Sequence, residues 1–230
     1  MSLVRRDHKK KKKTGARRNR DERPSKALRV TGIRSFAPPR VLVQLKFFKT
    51  GNISGAGTSA GERLFPTNAY DVDPLFASTA MPGFSEWGLL YRSYRTLSSK
   101  ITVEFSNMSA YPMAVVLGPA NYDYITSWTA SNFTSLSSQP TSKNRVLSPV
   151  GGQDRATLHC SARTNQFAGV MSNAWDAFVG RTDGSSSPAQ SWGFFFGGQI
   201  QGTTVNTPGF NVTVRMTVEL EFFELATPPA

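Results

Sequence analysis

Few residues in this chain have types and spacings that could do chemistry. It carries two histidines, His8 and His159, and one cysteine, Cys160. A cysteine nucleophile needs a base within hydrogen-bond reach. His159 and Cys160 are adjacent in a predicted strand, where neighbouring side chains point to opposite faces. His159 is therefore expected on the surface and Cys160 as a small core hydrophobe. Two histidines, one of them in a lysine run, are too few for the several ligands of a metal-binding barrel. The glycines Gly51, Gly55, Gly57 and Gly61 lack the strand-loop-helix frame and the closing Lys-Ser/Thr of a phosphate loop, and read as a flexible turn. The one paired-carboxylate candidate outside the last strand is Asp71 with Asp73. Two residues apart in extended chain, they share a face and could ligate a hard cation such as Ca2+ with groups from a neighbouring subunit. The competing reading is a solvated pair or a salt bridge to Arg92 or Arg95. Glu219 and Glu221 read as the polar face of the last strand. No catalytic site and no other cofactor is expected, so the chain reads as a non-enzyme.

Charge is the stronger signal. Up to Arg40 there are 15 Lys/Arg and 3 Asp/Glu, a net of +12, whereas from Val41 to Ala230 there are 12 of each. The arm, residues 1–40, repels itself and has almost nothing apolar to bury, so it is expected to be disordered on its own. Clustered cations gain binding free energy by releasing counterions from phosphate backbones, which points to nucleic acid. The expected contacts are Arg5, Arg6, Lys9, Lys10, Lys11, Lys12, Lys13, Arg17, Arg18, Arg20, Arg23, Lys26 and Arg29. No aromatic precedes Phe36, so bases have no stacking platform and binding should tolerate any sequence. Lys9 to Arg18 also fits a loose nuclear-import pattern. A membrane partner is not expected, because residues 1–27 show no amphipathic apolar face and Ser follows Met1. No apolar stretch approaches a bilayer span, and the single cysteine suits a reducing compartment. The sequons at Asn52, Asn107, Asn132 and Asn211 read as Ser/Thr/Asn-rich composition.

Residues 41–230 are enough for one domain with a sizeable core. Their dominant period is two. In the final strand Phe210, Val212, Val214, Met216, Val218, Leu220 and Phe222 alternate with polar residues. Val41 to Phe48 and Arg95 to Asn107 repeat the pattern. Weaker candidates are Arg63–Tyr70, Tyr111–Leu117, Asn144–Val150, Ala156–Arg163 and Trp192–Ile200, which makes eight strands. After a first linker of about twelve residues, short turns alternate with long loops near 71–94, 119–143 and 164–191. An eight-stranded jelly-roll sandwich has connections that alternate between its two ends. An immunoglobulin-like sandwich is the competing fold, though loops of this length are uncommon there. Phe84, Trp87, Tyr91 and Tyr94 fall on one helical face, which predicts a short helix over Pro82–Tyr94 within a long loop. The stripe reads as core that plugs an end of the sandwich, with an aromatic ligand box as the sharper alternative.

Tyr70-Asp71-Val72-Asp73-Pro74, Pro82 to Trp87, and Tyr91 to Arg95 running into Ile101 to Asn107 resemble coat proteins of small icosahedral viruses. The resemblance is nearest to the single jelly-roll capsids of circular single-stranded DNA viruses and their small RNA-virus relatives. The local likeness covers about forty residues, and the layout of arm, strands and helix covers the chain. It implies a virion shell of identical subunits with the arms on the genome, single-stranded DNA favoured over RNA, and residence in host cytoplasm or nucleus before assembly. An import receptor and a host receptor are the further partners it implies. The other class is a cellular nucleic-acid-binding β-sandwich with a basic tail, which should carry backbone-contacting cations on its body. A lectin-like sandwich would leave the arm unexplained. Trp128, Phe133, Phe167, Trp175 and Phe178 lie in the long loops, either as exposed contact residues or as lids folded back on the core.

Overall fold

A computed structural model describes residues 37–55, 57–74, 79–149, 151–168, 176–202 and 209–226. The chain divides at Phe36/Ala37, and the second unit, described from Ala37 on, is an all-β sandwich. The elements are β1 (Arg40–Ser54), β2 (Ser59–Leu64), α1 (Phe84–Gly88), β3 (Tyr91–Asn107), β4 (Met113–Asn121), α2 (Ala130–Ser137), β5 (Lys143–Leu147), β6 (Arg155–Arg163), α3 (Thr164–Ala168), β7 (Val179–Arg181), β8 (Trp192–Ile200) and β9 (Gly209–Leu225). One sheet has the order β1-β9-β3-β6, with β7 also on β3; the other has β2-β8-β4-β5. Every described pairing is antiparallel. Apart from the consecutive pairs β4–β5 and β6–β7, the chain crosses from sheet to sheet at each step, which is the jelly-roll topology.

Each sheet follows from its side chains. In the five-stranded sheet one face is wet, so its strands alternate: Val212, Val214, Met216, Val218, Leu220 and Phe222 of β9 and Ile101, Val103 and Phe105 of β3 are buried, and the residues between them, Glu221 apart, are exposed or half-buried. In the four-stranded sheet both faces are covered. Met113, Val115, Leu117, Phe194 and Phe196 enter the main core, while Val116, Ala120 and Phe195 point outward into a second apolar cluster with Phe65, Ile125, Phe133 and Leu136. Continuous apolar runs such as Phe194-Phe195-Phe196 are what a strand buried on both faces requires.

The second cluster is closed by the β4–β5 connection. Thr129 caps α2, its Oγ1 accepting from the Asn132 N–H at 3.2 Å. Phe133 and Leu136, three residues apart on one helical face, then press onto the sheet. Trp128 lies over Gly61 and Gly197, which are paired across β2 and β8. A β-carbon on Gly61 would collide with the Trp128 ring, and one on Gly197 would stand 2.7 Å from its Cζ3. The glycines read as a flexible turn are thus strand residues wherever they are needed for this close approach, and only Gly55 and Gly57 belong to the connection. That shortens the first linker to residues 55–58, and short and long connections alternate throughout.

Two further expectations are corrected, and one that was open is resolved. The helix stops at Gly88, and Tyr91 and Tyr94 belong to β3. A spacing of three or four placed all four aromatics on a helix, but they converge through tertiary packing on Phe222, whose ring centroid lies 5.7, 6.0, 6.3 and 6.3 Å from those of Phe84, Trp87, Tyr91 and Tyr94. There are nine strands among the described residues, the extra one being the three-residue β7, too short to show a period. The loop aromatics resolve as lids: Phe133 and Phe178 are buried, Trp128 is half-buried, and Phe167 stacks on Trp192 at 5.1 Å. Trp175 lies outside the described residues.

Candidate functional site

All the basic residues expected to meet phosphate, from Arg5 to Arg29, lie outside the described residues. What the structure shows is where the chain leaves them. Pro38 O accepts from Tyr91 Oη at 2.8 Å, and Arg40 at the start of β1 reaches Glu221 at 3.5 Å. The outer face of the five-stranded sheet then presents rows of small hydroxyls and charges. Beside the Arg40 contact, its ion pairs include Arg95 Nε to Glu221 Oε2 and Arg215 Nη1 to Glu104 Oε1, both at 2.5 Å.

The expected carboxylate pair takes another form. Residues 71–73 form a bend rather than extended chain, so Asp71 and Asp73 have separate partners. Asp71 Oδ1 accepts from the Thr79 N–H at 3.2 Å, whereas Asp73, nearly inaccessible, receives Lys49 Nζ at 2.6 Å. Lys49 also meets Glu62 Oε2 at 2.9 Å. Of the readings that competed with a cation site, a salt bridge is present at Asp73 with Lys49 as its cation, and Arg95 pairs with Glu221. Among the described residues no three His, Cys, Asp or Glu side chains cluster as a metal site would need.

His159 and Cys160 separate as strand neighbours should. The exposed ring places Nδ1 2.9 Å from Thr102 Oγ1, while Cys160 Sγ points to Thr141 O at 3.9 Å. Burial pushes the thiol pKa up, opposite to the activation a nucleophile requires.

The surface feature that sequence reading missed is apolar. Leu42 and Phe48 on β1 are 63% and 62% exposed, and Val146 on β5 is 63% exposed. β1 and β5 are edge strands, where exposed apolar side chains beside unpaired backbone groups invite another chain. The signal was present: Leu42 and Phe48 are apolar residues on the polar phase of an alternating strand. At the ends, the described residues of the short connections 55–58, 108–112, 148–154 and 201–208 gather at one pole, tied by bonds such as Met108 N–H to Gly209 O at 3.1 Å and Gln201 N–H to Pro112 O at 2.9 Å. The described residues of the long connections 65–90, 122–142 and 164–191 gather at the other, tied by Tyr122 N–H to Ser191 O at 2.9 Å and Thr67 Oγ1–H to Trp192 O at 2.9 Å. No described helix is long and apolar enough to cross a membrane.

No protein-family model matches the chain, and no curated protein matches its sequence. Solved structures do match. The fold is similar to that in the structure of Cocksfoot mottle virus, with a TM-score of 0.51, 12% identity, and coverage of 82% of this chain and 97% of that one. Mud crab tombus-like virus gives 0.48 at 7% identity over 98% and 96% of the two chains, and the decameric BFDV capsid protein gives 0.42 at 9% over 80% and 99%. The resemblance seen in the sequence holds at the level of the fold, which is the jelly roll.

Proposed function

We propose that this chain is the capsid protein of a small icosahedral virus, self-assembling through its jelly-roll body and packaging the genome with its basic arm. The observation that carries this reading is the division of charge: +12 on residues 1–40 and 12 cations against 12 anions on the remainder. A neutral sandwich with exposed apolar residues on two edge strands can pack against its own copies without net repulsion, while the arm supplies the counterion-releasing contacts that phosphate rewards. The fold shared with the Cocksfoot mottle virus structure supports the reading. Single-stranded DNA is the favoured cargo, on the sequence resemblance to circular DNA virus coats. The basic arm doubles as the import signal, and the protein acts without an enzymatic step.

Electron microscopy of purified full-length protein with single-stranded polynucleotide tests this, alongside a form lacking residues 1–36. Full-length protein should give uniform spherical particles. If about 10 of its cations meet phosphates, log affinity should fall with log salt at a slope of roughly −7. The truncated form should lose that slope. Protein that remains monomeric at every concentration and salt, or a truncated body that binds with the full slope, would overturn the reading in favour of a cellular nucleic-acid-binding protein.

A further inference from the structure

The zero net charge of the body hides a separation. The long connections 65–90, 122–142 and 164–191 hold Asp71, Asp73, Glu86, Asp123, Asp176 and Asp183 against one cation, Arg181, a net of −5. The rest of residues 41–230 holds the other eleven cations against six anions, a net of +5. Both charges are concentrated. Glu86, Asp123, Asp176 and Asp183 are exposed at the long-connection end, and none makes an ion pair among the described residues. Lys100, Lys143, Arg145, Arg155 and Arg163 are likewise exposed and form none.

These five cations share one flank. The β3–β6 register sets Lys100 opposite Ser161, Ser98 opposite Arg163 and Ser106 opposite Arg155, so Lys100, Arg155 and Arg163 share the outer face at the β6 edge. Lys143 lines a hollow of 480 Å³ together with Lys100, His159 and Cys160, which brings the β5 edge to the same flank. Arg145 stands two residues on from Lys143 and so shares its phase on β5. The exposed Val146 projects from the opposite face of β5.

We infer that the acidic long-connection end of one body docks on the basic β5–β6 flank of a second copy, and this rests on the shell reading above. A polyanion would account for the flank but leave the acidic end without a purpose. A second copy accounts for both, and for the balance between them, because each contact joins five cations that make no ion pair among the described residues to an acidic surface from an identical chain. A contact between two different patches is heterologous, and such contacts close into rings when the rotation allows. Charge complementarity fixes the orientation and raises the encounter rate.

Charge reversal in the full-length protein tests this. One variant carries Lys143→Glu, Arg155→Glu and Arg163→Glu; the other carries Asp123→Lys, Asp176→Lys and Asp183→Lys. All six positions are exposed, so circular dichroism should report wild-type melting for both. Each alone should show about a tenfold or greater loss of assembled mass in sedimentation at low salt. A single chain carrying all six changes should assemble by itself, because every contact again pairs opposite charges. Wild-type assembly by either variant alone, or a six-change chain that stays unassembled, would overturn the inference while leaving the shell reading intact. Loss in the flank variant alone would assign those cations to nucleic acid and overturn it too. Wild-type protein that stays monomeric under the same conditions would overturn the shell reading itself.

Discussion

Lys49 and Asp73 form a buried ion pair at 2.6 Å that fastens β1 to the long connection after β2, with Glu62 of β2 as the second carboxylate at 2.9 Å. Removing one member of such a pair leaves an uncompensated buried charge, which costs about 3–5 kcal/mol. Lys49→Met should therefore lower stability by about that much in chemical denaturation, and adding Asp73→Asn and Glu62→Gln should recover most of it. Because the ammonium already occupies Asp73, melting should be indifferent to EDTA. A drop on chelation would place a cation at Asp71.

Phe222 is where four aromatic rings converge, and its side chain is fully enclosed. Truncating such a residue costs about 3–5 kcal/mol. Phe222→Ala should reach that range in denaturant titration, and Trp87→Ala, which loses a half-buried ring, should cost roughly half as much. Equal losses would mean that Trp87 seals the sandwich end as tightly as Phe222 fills it.

Gly61 and Trp128 test the covering of the four-stranded sheet. Gly61→Ala displaces the indole and should destabilise by about 1–3 kcal/mol, as other overpacking changes do. Trp128→Ala in the same chain should absorb part of that loss, a coupling that a double-mutant cycle reads directly. Additive effects would show that the ring does not rest on the glycine.

The alkaline side of the stability profile should bend early. Burial raises the pKa of both the Tyr94 phenol and the Cys160 thiol, so the folded protein favours their neutral forms. Their contribution is fully present below the unfolded-state values, about 8.5 for the thiol and about 10 for the phenol, and is lost as pH rises through the higher folded values. Melting temperature should therefore fall progressively above about pH 8.5. Cys160→Ala should flatten the first part of that fall and Tyr94→Phe the second.

The strands of the wet sheet were legible because each has one dry face. β9, β3 and the first half of β1 announce themselves by alternation. β8 and β4 were weak candidates for the opposite reason: α2 and Trp128 cover their second face, so period two vanishes from Phe194-Phe195-Phe196. α2 itself has only Phe133 and Leu136 to mark it, and its cap, Thr129, is one of many threonines. The aromatic stripe misled because helical spacing and convergence on Phe222 place rings together equally well. Lys49 could not be matched to Asp73 from sequence, since the pairing depends on how the connection 65–90 folds back. The neutral charge sum of the body was correct, but the separation within it became visible only when the long connections proved to share an end.

Gathering every long connection at one end divides the molecule by how freely it can change over generations. Lengthening a surface loop carries an entropic cost that grows only with the logarithm of its length, so residues 65–90, 122–142 and 164–191 are where insertions are best tolerated. The opposite end has connections as short as residues 55–58 and 108–112, and one added residue there would shift a strand's phase and turn its dry side chains outward. Descendants of this chain should therefore diverge in length and composition at one pole while the other stays fixed, and new recognition properties should arise at the pole free to vary.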